Sequence, residues 1–373
     1  MTLQELEEIK NNRHKSDSVK YQARTATKLL DSNSNLYEVV TYTQEVKELL
    51  GAFGLNESND AQIVACAKYF ATHNEDTVFV TDDICCKLIA KNIFGLNVAS
   101  VDNNQGVYKG YKIIEGSTDD INLAMQNMDL LEWSVNEYLI IHNKDDNSYK
   151  EMRFDGDKFV ALKLPPSKFI KAKNSLQRCT LDALLNPEIT TVAVLGTYGS
   201  GKSFLCMQMA LYNVKEKGNQ GTILGIREIR GEGVEPGALP GDLHDKTDYF
   251  FAPLAQQLSG GEYELNDLKQ KGIIDFQIPY YLKGTTYNST IILSDEAEDL
   301  KESQIRLIGT RIGENSRVFF SGDYKQSVLD SSNNNALVKM CNELKGNPLF
   351  ACICLEEDVR SETSKMFAEL FKK

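Results

Sequence analysis

The sequence lacks the features that mark membrane and secreted proteins. Its 373 residues contain no uninterrupted apolar run of about 18 or more, so a membrane span is not expected. The first ten residues, MTLQELEEIK, lack the apolar core of a signal peptide. These absences favour a cytoplasmic protein without a membrane partner.

Sequence patterns of zinc sites, of disulfide frameworks and of strongly basic proteins are missing as well. Eight cysteines and four histidines show no zinc spacing and no disulfide framework, so we expect reduced thiols in the core. The formal net charge of −12 excludes passive electrostatic coating of nucleic acid. A local basic groove or a pore lined by Lys and Arg remains compatible with that charge.

Periodicity divides the chain into three parts. Residues 1–105 are predicted to alternate helices and strands around a parallel sheet, with helices at LQELEEIK, QARTATKLL, NDAQIVACAKYFAT and DICCKLIAKNIFG and a short buried strand at TVFVT. Residues 106–170 form a small β-rich module, predicted to be antiparallel from NEYLIIHN, SYKEMRF and KFVALKL, with PPSKFIKAKN as a linker. Residues 171–373 are predicted to form a second α/β region.

The segment LGTYGSGKSF has the spacing of a loop that holds nucleotide phosphates. Gly196 is followed by four residues and then by Gly201, Lys202 and Ser203. The apolar run TVAVLG precedes the loop and the helical pattern SFLCMQMALYNV follows it, which is the context that this motif requires. We therefore expect ATP with Mg²⁺, with Lys202 at the β- and γ-phosphates and Ser203 on the metal. The expected nucleotide contacts are Gly196, Thr197, Tyr198, Gly199, Ser200, Gly201, Lys202, Ser203 and Phe204.

Two later strands end in polar residues. In STIILSDEAEDL, Asp295 is expected to hold Mg²⁺ and Glu296 to polarise the attacking water. In RVFFSGDYKQSVL, Gln326 is expected to sense the γ-phosphate. A surface acidic cluster and an ordinary turn are the alternatives when each motif is taken alone. Arg360 could act as an arginine finger, although an isolated Arg is usually a solvated surface residue.

Five blocks in order resemble the PhoH-like ATPases, and they cover residues 170–365: NSLQRCTLDALLNPEITTVAVLGTYGSGKS, IREIRGEGVEPGALPGD, PYYLKGTTYNSTIILSDEAED, LIGTRIGENSRVFFSGDYKQ and LEEDVRS. The resemblance implies a P-loop, RecA-like ATPase core of superfamily-1 helicase type that assembles as a ring, typically a hexamer. It also implies that Gln177 reads the nucleotide base and that Arg360 serves a neighbouring subunit. Arg311 lies in the TRIG block, and Gly237–Gly241 match the LPG loop.

The sequence departs from that family pattern in two places. Glu298 and Asp299 stand where the family usually has Gln and Asn, which could alter substrate coupling or Mg²⁺ affinity. Lys283 stands where the family has Arg, so the charge is kept and the planar fork is lost.

The first 105 residues resemble a PIN nuclease domain in the blocks LQELEEIK, YQARTATKLL, NDAQIVACA and VFVTDDICCKLIAKNIFGL. The resemblance implies a Mg²⁺ site built from Glu5, Asp60 and Asp83, where Mn²⁺ could replace Mg²⁺. Asp82 is a possible substitute for Asp83. The family's first strand and its Asp would lie upstream of LQELEEIK. The domain is therefore expected to be N-terminally incomplete, either as a fragment or as a decayed nuclease that serves assembly or RNA binding.

Three functions are compatible with these patterns. The first is an ATP-driven, helicase-like RNA-remodelling ring that passes single-stranded RNA to a PIN ribonuclease, either intact or impaired. The second is a nucleotide-gated scaffold or RNA-binding ring with a degenerate nuclease. The third, a two-lobed helicase, is disfavoured because 47 residues follow Gln326, too few for a second lobe.

Overall fold

The structure is a computed structural model of the chain. It describes residues 2–12, 17–53, 55, 58–74, 76–81, 83–99, 106–128, 131–197, 199–218, 220–228, 252–323 and 335–356.

Helices dominate the N-terminal region. They are α1 (Thr2–Asn11), α2 (Asp17–Ser32), α3 (Gln44–Ala52), α4 (Asn59–His73) and α5 (Ile84–Leu88), which continues into a π-helical turn at Ile89–Ile93. The strands β1 (Val78–Val80) and β2 (Asn97–Ala99) pair in parallel. The four predicted helices and the parallel pairing are confirmed. Strict alternation is wrong, because four helices precede β1 and α3 was not predicted.

Local signals explain where these helices start and pack. The Ser58 hydroxyl caps α4 by accepting a hydrogen bond from the Ala61 amide at 3.3 Å. The small buried face of α4, with Val64 and Ala65, packs with Val46 and Leu50 of α3 in one core cluster. This cluster holds the helices against one face of the short sheet.

Strand β1 is more exposed than the sequence predicted. Val78 and Val80 are 51% and 53% exposed, and only Phe79 between them packs on the core. Side chains alternate between the two faces of a strand, so a sheet with helices on one face buries every second residue. The prediction of a buried strand was therefore wrong: the run is apolar on both faces, but its second face is not covered within the described part of the chain.

The central region contains β3 (Tyr111–Gly116), α6 (Thr118–Gln126), β4 (Tyr138–Asn143), β5 (Ser148–Phe154) and β6 (Phe159–Ala161). The predicted antiparallel pairing of β4, β5 and β6 is confirmed. The sheet as a whole is mixed, since β3 pairs with β4 in parallel. Parallel neighbours need a crossover, and α6 supplies it, starting at a capping box of Ser117 and Asp120.

The central sheet is packed on both faces. In β4, Tyr138 and Ile140 belong to the core of the C-terminal region, whereas Leu139 and Ile141 belong to a cluster with residues of α5 and α6. The period of two along the strand thus places successive residues in different cores. The small module is the layer that joins the N-terminal and C-terminal regions.

The C-terminal region is a larger α/β layer. Its elements are α7 (Ser175–Leu185), β7 (Thr191–Gly196), α8 (Lys202–Tyr212), β8 (Thr222–Ile226), α9 (Gly261–Gln270), β9 (Ile274–Gln277), β10 (Thr290–Ser294), α10 (Glu302–Gly309), β11 (Arg317–Gly322), α11 (Ala336–Glu343) and β12 (Phe350–Leu355). The strand order is β12-β7-β11-β10-β8-β9, and all neighbours are parallel. The predicted strands β7, β10 and β11 are confirmed, and their carboxyl ends meet at one edge.

All eight cysteines are free and buried, as the sequence predicted. Among the helices that the structure describes, none combines the length and apolar character needed to cross a membrane.

Candidate functional site

The loop between β7 and α8 depends on its glycines. Gly196, Gly199 and Gly201 have φ values of 155°, 75° and 90°, in the region that favours residues without a Cβ atom. A Cβ atom at Gly196 would lie 2.5 Å from the carbonyl oxygen of Leu355. The chain therefore turns tightly beside β12 and enters α8 at Gly201, so that the amino end of this helix faces the loop.

Side chains on both sides hold this loop in shape. The Lys202 ammonium donates a hydrogen bond to the carbonyl oxygen of Thr197 at 2.9 Å. From α7, the Gln177 amide nitrogen donates to the carbonyl oxygen of Ser200 at 3.0 Å, and its amide oxygen accepts from the backbone of Lys173 at 2.9 Å. Gln177 is buried and braces the loop in this structure. Its predicted contact with the nucleotide base stays a prediction.

The carboxylate of Asp295 connects the loop to the neighbouring strands. One oxygen, Oδ1, accepts hydrogen bonds from the Ser203 hydroxyl at 2.7 Å and from the Ser321 hydroxyl at 2.5 Å. Asp295 itself is 6% exposed. Mg²⁺ prefers oxygen ligands, and a serine hydroxyl beside a carboxylate, next to a phosphate-binding type of loop, can supply them when a nucleotide is bound. Sequence reasoning found Ser203 and Asp295 but missed Ser321, which precedes the glycine at the end of β11.

Glu296 has an unusual backbone and a strong partner. Its φ and ψ are 48° and 46°, the left-handed region that non-glycine residues rarely adopt. The Arg227 guanidinium binds both of its carboxylate oxygens, with a distance of 3.0 Å from Nε to Oε2. Arg227 follows the last residue of β8, at the same sheet edge. This ion pair could not be predicted from the sequence, because the two residues lie far apart in the chain.

Glu298 is a buried carboxyl group beside the nucleotide loop. It is 8% exposed, and a Cβ atom on Gly322 would lie 2.6 Å from its Oε2. Burial is the main cause that raises the pKa of Glu298 to about 7, and the nearby Glu296 raises it further. Hydrogen bonds from the backbone of Glu298 and Asp323 oppose that shift. A neutral side chain suits this position, which agrees with the Gln that the family usually places there.

We expect Glu298→Gln to stabilise the protein at alkaline pH. The pKa of Glu298 is about 7 when folded and near the ordinary 4.5 when unfolded, so wild-type stability falls as pH rises from about 4.5 through about 7. The amide has no such penalty and should gain up to about 3 kcal/mol above pH 7. Urea unfolding at pH 5 and pH 8 measures the difference. A gain that is equal at both pH values, or one matched by the exposed Glu302→Gln, would contradict this cause.

A second group of side chains, which could bind a metal ion, lies in the N-terminal region. Asp60 in the first turn of α4, Asp83 at the start of α5 and the Cys86 thiol have ligand atoms within 4.8 Å of one another. One oxygen of Asp83 accepts a hydrogen bond from the Cys86 amide at 2.8 Å, which caps α5. Burial, then the charges of Asp60 and Asp83, raise the pKa of the Cys86 thiol, so it stays protonated at neutral pH. Two carboxylates and a neutral thiol fit a hard cation through the carboxylate oxygens.

Cys85 packs in a core cluster that the N-terminal and central regions share. Burial, then Asp83, Asp120 and Asp60 in that order, raise the pKa of the Cys85 thiol to about 12. Asp120 stands in the first turn of α6, where its carboxylate also accepts hydrogen bonds from Ser117.

Several predicted residues lie outside the described part of the chain or outside these two groups. Phe204 is 43% exposed at the start of α8, and Arg311 follows α10, where it is half-buried. Glu5 lies in α1, but its side chain is not among those described. The following residues lie outside the described ranges: Tyr198, Gln326, Arg360, Asp82 and the segment Gly237–Gly241.

Comparison with known proteins finds a family match in each half of the chain. The model of the PhoH-like protein family matches residues 169–372, and that of a PIN domain family matches residues 1–102. Protein PhoH2 of Bacillus subtilis is 24% identical, and the match covers 98% of this chain and 92% of that protein. Protein PhoH2 of Thermobispora bispora is 26% identical, with coverage of 84% and 74%. A PhoH-like protein of Synechocystis is 29% identical over 48% of this chain.

The PhoH-like model covers more than half of the chain, and the loop that it includes has the glycine conformations, the lysine and the serine–aspartate contact of a P-loop. The PIN model covers the region that holds Asp60 and Asp83. The protein belongs to the PhoH family and carries a PIN domain before its P-loop ATPase domain.

Proposed function

We propose that this protein is an ATP-hydrolysing, helicase-like RNA-remodelling enzyme coupled to a Mg²⁺-dependent ribonuclease. The observation that carries the ATPase half is the contact of Ser203 and Ser321 with Asp295, below a loop with Lys202 at its end. A lysine, a serine hydroxyl in contact with an aspartate, and a second carboxylate lie at one sheet edge. That set is what transfer of a phosphoryl group to water needs.

In this proposal, Lys202 moves from the Thr197 carbonyl to the β- and γ-phosphates when ATP binds. Ser203 and Asp295 would hold Mg²⁺, which when bound neutralises charge on the phosphate oxygens. Glu296 accepts the proton of the attacking water, so one of its oxygens has to turn from Arg227 toward that water. Gln326 senses the γ-phosphate, and Arg360 acts on the ATP of a neighbouring subunit in a ring, which we propose to be a hexamer.

The nuclease half is proposed to act on single-stranded RNA. Asp60 and Asp83 would hold Mg²⁺ or Mn²⁺, which when bound supplies an activated water and stabilises negative charge on the scissile phosphate. Glu5 is the remaining proposed ligand. The cytoplasm is the proposed location, because the thiols are all free and RNA is the proposed substrate.

Phosphate release from ATP, measured with and without single-stranded RNA, tests the ATPase half. We expect hydrolysis that requires Mg²⁺ and increases when RNA is added. A rate of ATP hydrolysis that does not change when RNA is added would contradict the coupling of hydrolysis to RNA. Binding of ATP without any hydrolysis would instead favour the second candidate, a nucleotide-gated ring that serves as a scaffold.

We expect Asp60→Asn to lower metal-dependent RNA cleavage by about 10- to 100-fold, since an amide is a weaker ligand than a carboxylate and one charge is lost. The measurement is cleavage of a labelled single-stranded RNA in Mg²⁺ and in Mn²⁺. A second reading is the rise in melting temperature on adding Mn²⁺, which should be smaller in the variant. Asp31→Asn, an exposed change at the end of α2, is the matched control. Equal cleavage and equal metal shifts in both variants would remove Asp60 from the site.

A further inference from the structure

A pair of tyrosines stands exposed at the carboxyl end of the edge strand β9. The chain leaves β9 at Gln277 and forms a 3₁₀ turn at Pro279–Leu282. A 3₁₀ helix has three residues per turn, so its first and fourth residues share one face. Pro279 and Leu282 are that face, and both are buried. The two residues between them, Tyr280 and Tyr281, are consequently turned outward, with 67% and 44% exposure.

The tyrosine rings form a surface with a cation on it. The ring centroids of Tyr280 and Tyr281 are 5.5 Å apart, and their planes cross at 84°. The Lys283 ammonium lies 5.1 Å from the centre of the Tyr280 ring. Single exposed aromatic residues are common on protein surfaces and carry no meaning alone. Two adjacent rings and a lysine, on a turn whose other side is anchored in the core, form a rigid surface instead.

We propose that Tyr280, Tyr281 and Lys283 form a stacking platform for the bases of single-stranded RNA. This inference rests on the proposed RNA-remodelling function and adds the place where the strand is held. The chain carries a net charge of −12, so charge alone disfavours contact with phosphates. Stacking on aromatic rings gives affinity that does not need a basic protein, and it tolerates every base. Lys283, which lies over the Tyr280 ring, would move aside when a base stacks there and keep its charge near the RNA phosphates.

The platform is separate from the nucleotide loop. Both lie at the carboxyl edge of the six-stranded sheet, but β9 is four strands away from β7. Strands are about 4.8 Å apart, so the two sites are separated by roughly 20 Å along the edge. RNA on the platform would thus lie beside bound ATP without entering its pocket. The end of β8, with Arg227, lies between the two sites and contacts Glu296.

Fluorescence anisotropy with a labelled oligouridine RNA tests the platform in the full chain. We expect Tyr280→Ala and Tyr281→Ala each to weaken RNA binding by about 5- to 100-fold. Tyr280→Phe keeps the ring and should bind within about twofold of wild type. Lys283→Ala should lower the slope of log affinity against log salt by about 1. Tyr263→Ala in α9 is the matched control, because Tyr263 is 92% exposed.

The outcomes separate this inference from the function on which it rests. RNA binding by wild type that is unchanged in both alanine variants overturns the platform and leaves the RNA function standing. Loss of affinity in Tyr263→Ala equal to that in Tyr280→Ala also overturns it. A change of oligomer size in Tyr280→Ala, seen by sedimentation, would mean that the tyrosines contact another subunit instead. Wild type that binds no RNA overturns the proposed RNA function together with the platform.

Discussion

Replacing Lys202 with alanine should lower ATP hydrolysis by about 100-fold or more and weaken ATP binding as well. The ammonium lies 2.9 Å from the Thr197 carbonyl oxygen, at the end of a loop whose glycines have positive φ values. A fixed cation at the β- and γ-phosphates stabilises both bound ATP and the charge that develops during transfer. Loss of two powers of ten in rate corresponds to about 2.7 kcal/mol.

Glu296→Gln should separate binding from chemistry at the same site. The amide keeps the shape of the side chain but cannot accept a proton, so hydrolysis should fall by about 10²- to 10⁴-fold while ATP still binds. Binding of a fluorescent ATP analogue and release of phosphate measure the two steps.

For Lys202→Ala the matched control is Lys215→Ala, since Lys215 lies beyond α8 and pairs with Glu264 on the surface. Normal hydrolysis in Lys202→Ala would refute the ATPase assignment, and normal hydrolysis in Glu296→Gln would remove that residue as the base.

Arg317→Leu is expected to destabilise the protein by about 3 to 5 kcal/mol. Arg317 is 2% exposed at the start of β11 and donates hydrogen bonds to three backbone carbonyl oxygens, at Ala183, Leu184 and Ile189, over 2.7 to 3.1 Å. Ala183 and Leu184 lie in the last turn of α7, whose carbonyl groups lack partners within the helix. A leucine would leave three buried acceptors without this charged donor, and each such loss costs about 1 to 3 kcal/mol.

The guanidinium is charged and suits the negative end of α7. Burial lowers the pKa of Arg317 to about 9, so it remains protonated at neutral pH. Lysine keeps the charge but has one nitrogen, so Arg317→Lys should lie between wild type and the leucine variant in urea unfolding. Arg306→Leu, an exposed change in α10, should stay within about 0.5 kcal/mol. If Arg317→Leu unfolded within 1 kcal/mol of wild type, the buried network would not hold α7 as described.

The stability of α7 bears on the nucleotide loop. The same helix carries Gln177 near its amino end, where the amide braces the loop at Ser200. Arg317 holds its carboxyl end. Asp182, on the same helix, accepts hydrogen bonds from Tyr138 and Arg153 of the central sheet. The helix therefore connects the loop, the central module and β11.

Much of the local structure could be read from the sequence because near neighbours determine it. The run TVAVLG into a glycine-rich loop predicted β7 and the start of α8, and DICCKLIAKNIFG predicted α5 and the stop at Gly95, whose φ is 60°. Asp60 and Asp83 were predicted as one site, and the structure brings their carboxylates close together. Their roles remain predictions.

Other features depended on pairings that leave no local trace. The parallel pair β3–β4 was missed because β3 itself was not predicted, and only the crossover through α6 brings it beside β4. The exposure of β1 was missed because an apolar run shows what could be buried, not what covers it.

The sequence by itself determined the order of the motifs, the glycines of the phosphate loop and the polar residues that end β10 and β11. These depend on backbone preferences and on residue spacing along one segment. Only the tertiary structure decided that Arg227 binds Glu296 and that Arg317 supports α7. Those contacts join residues from different segments, and the packing of β4 between two cores sets the central module between the PIN domain and the P-loop domain. Burial and charge at such contacts depend on the whole fold.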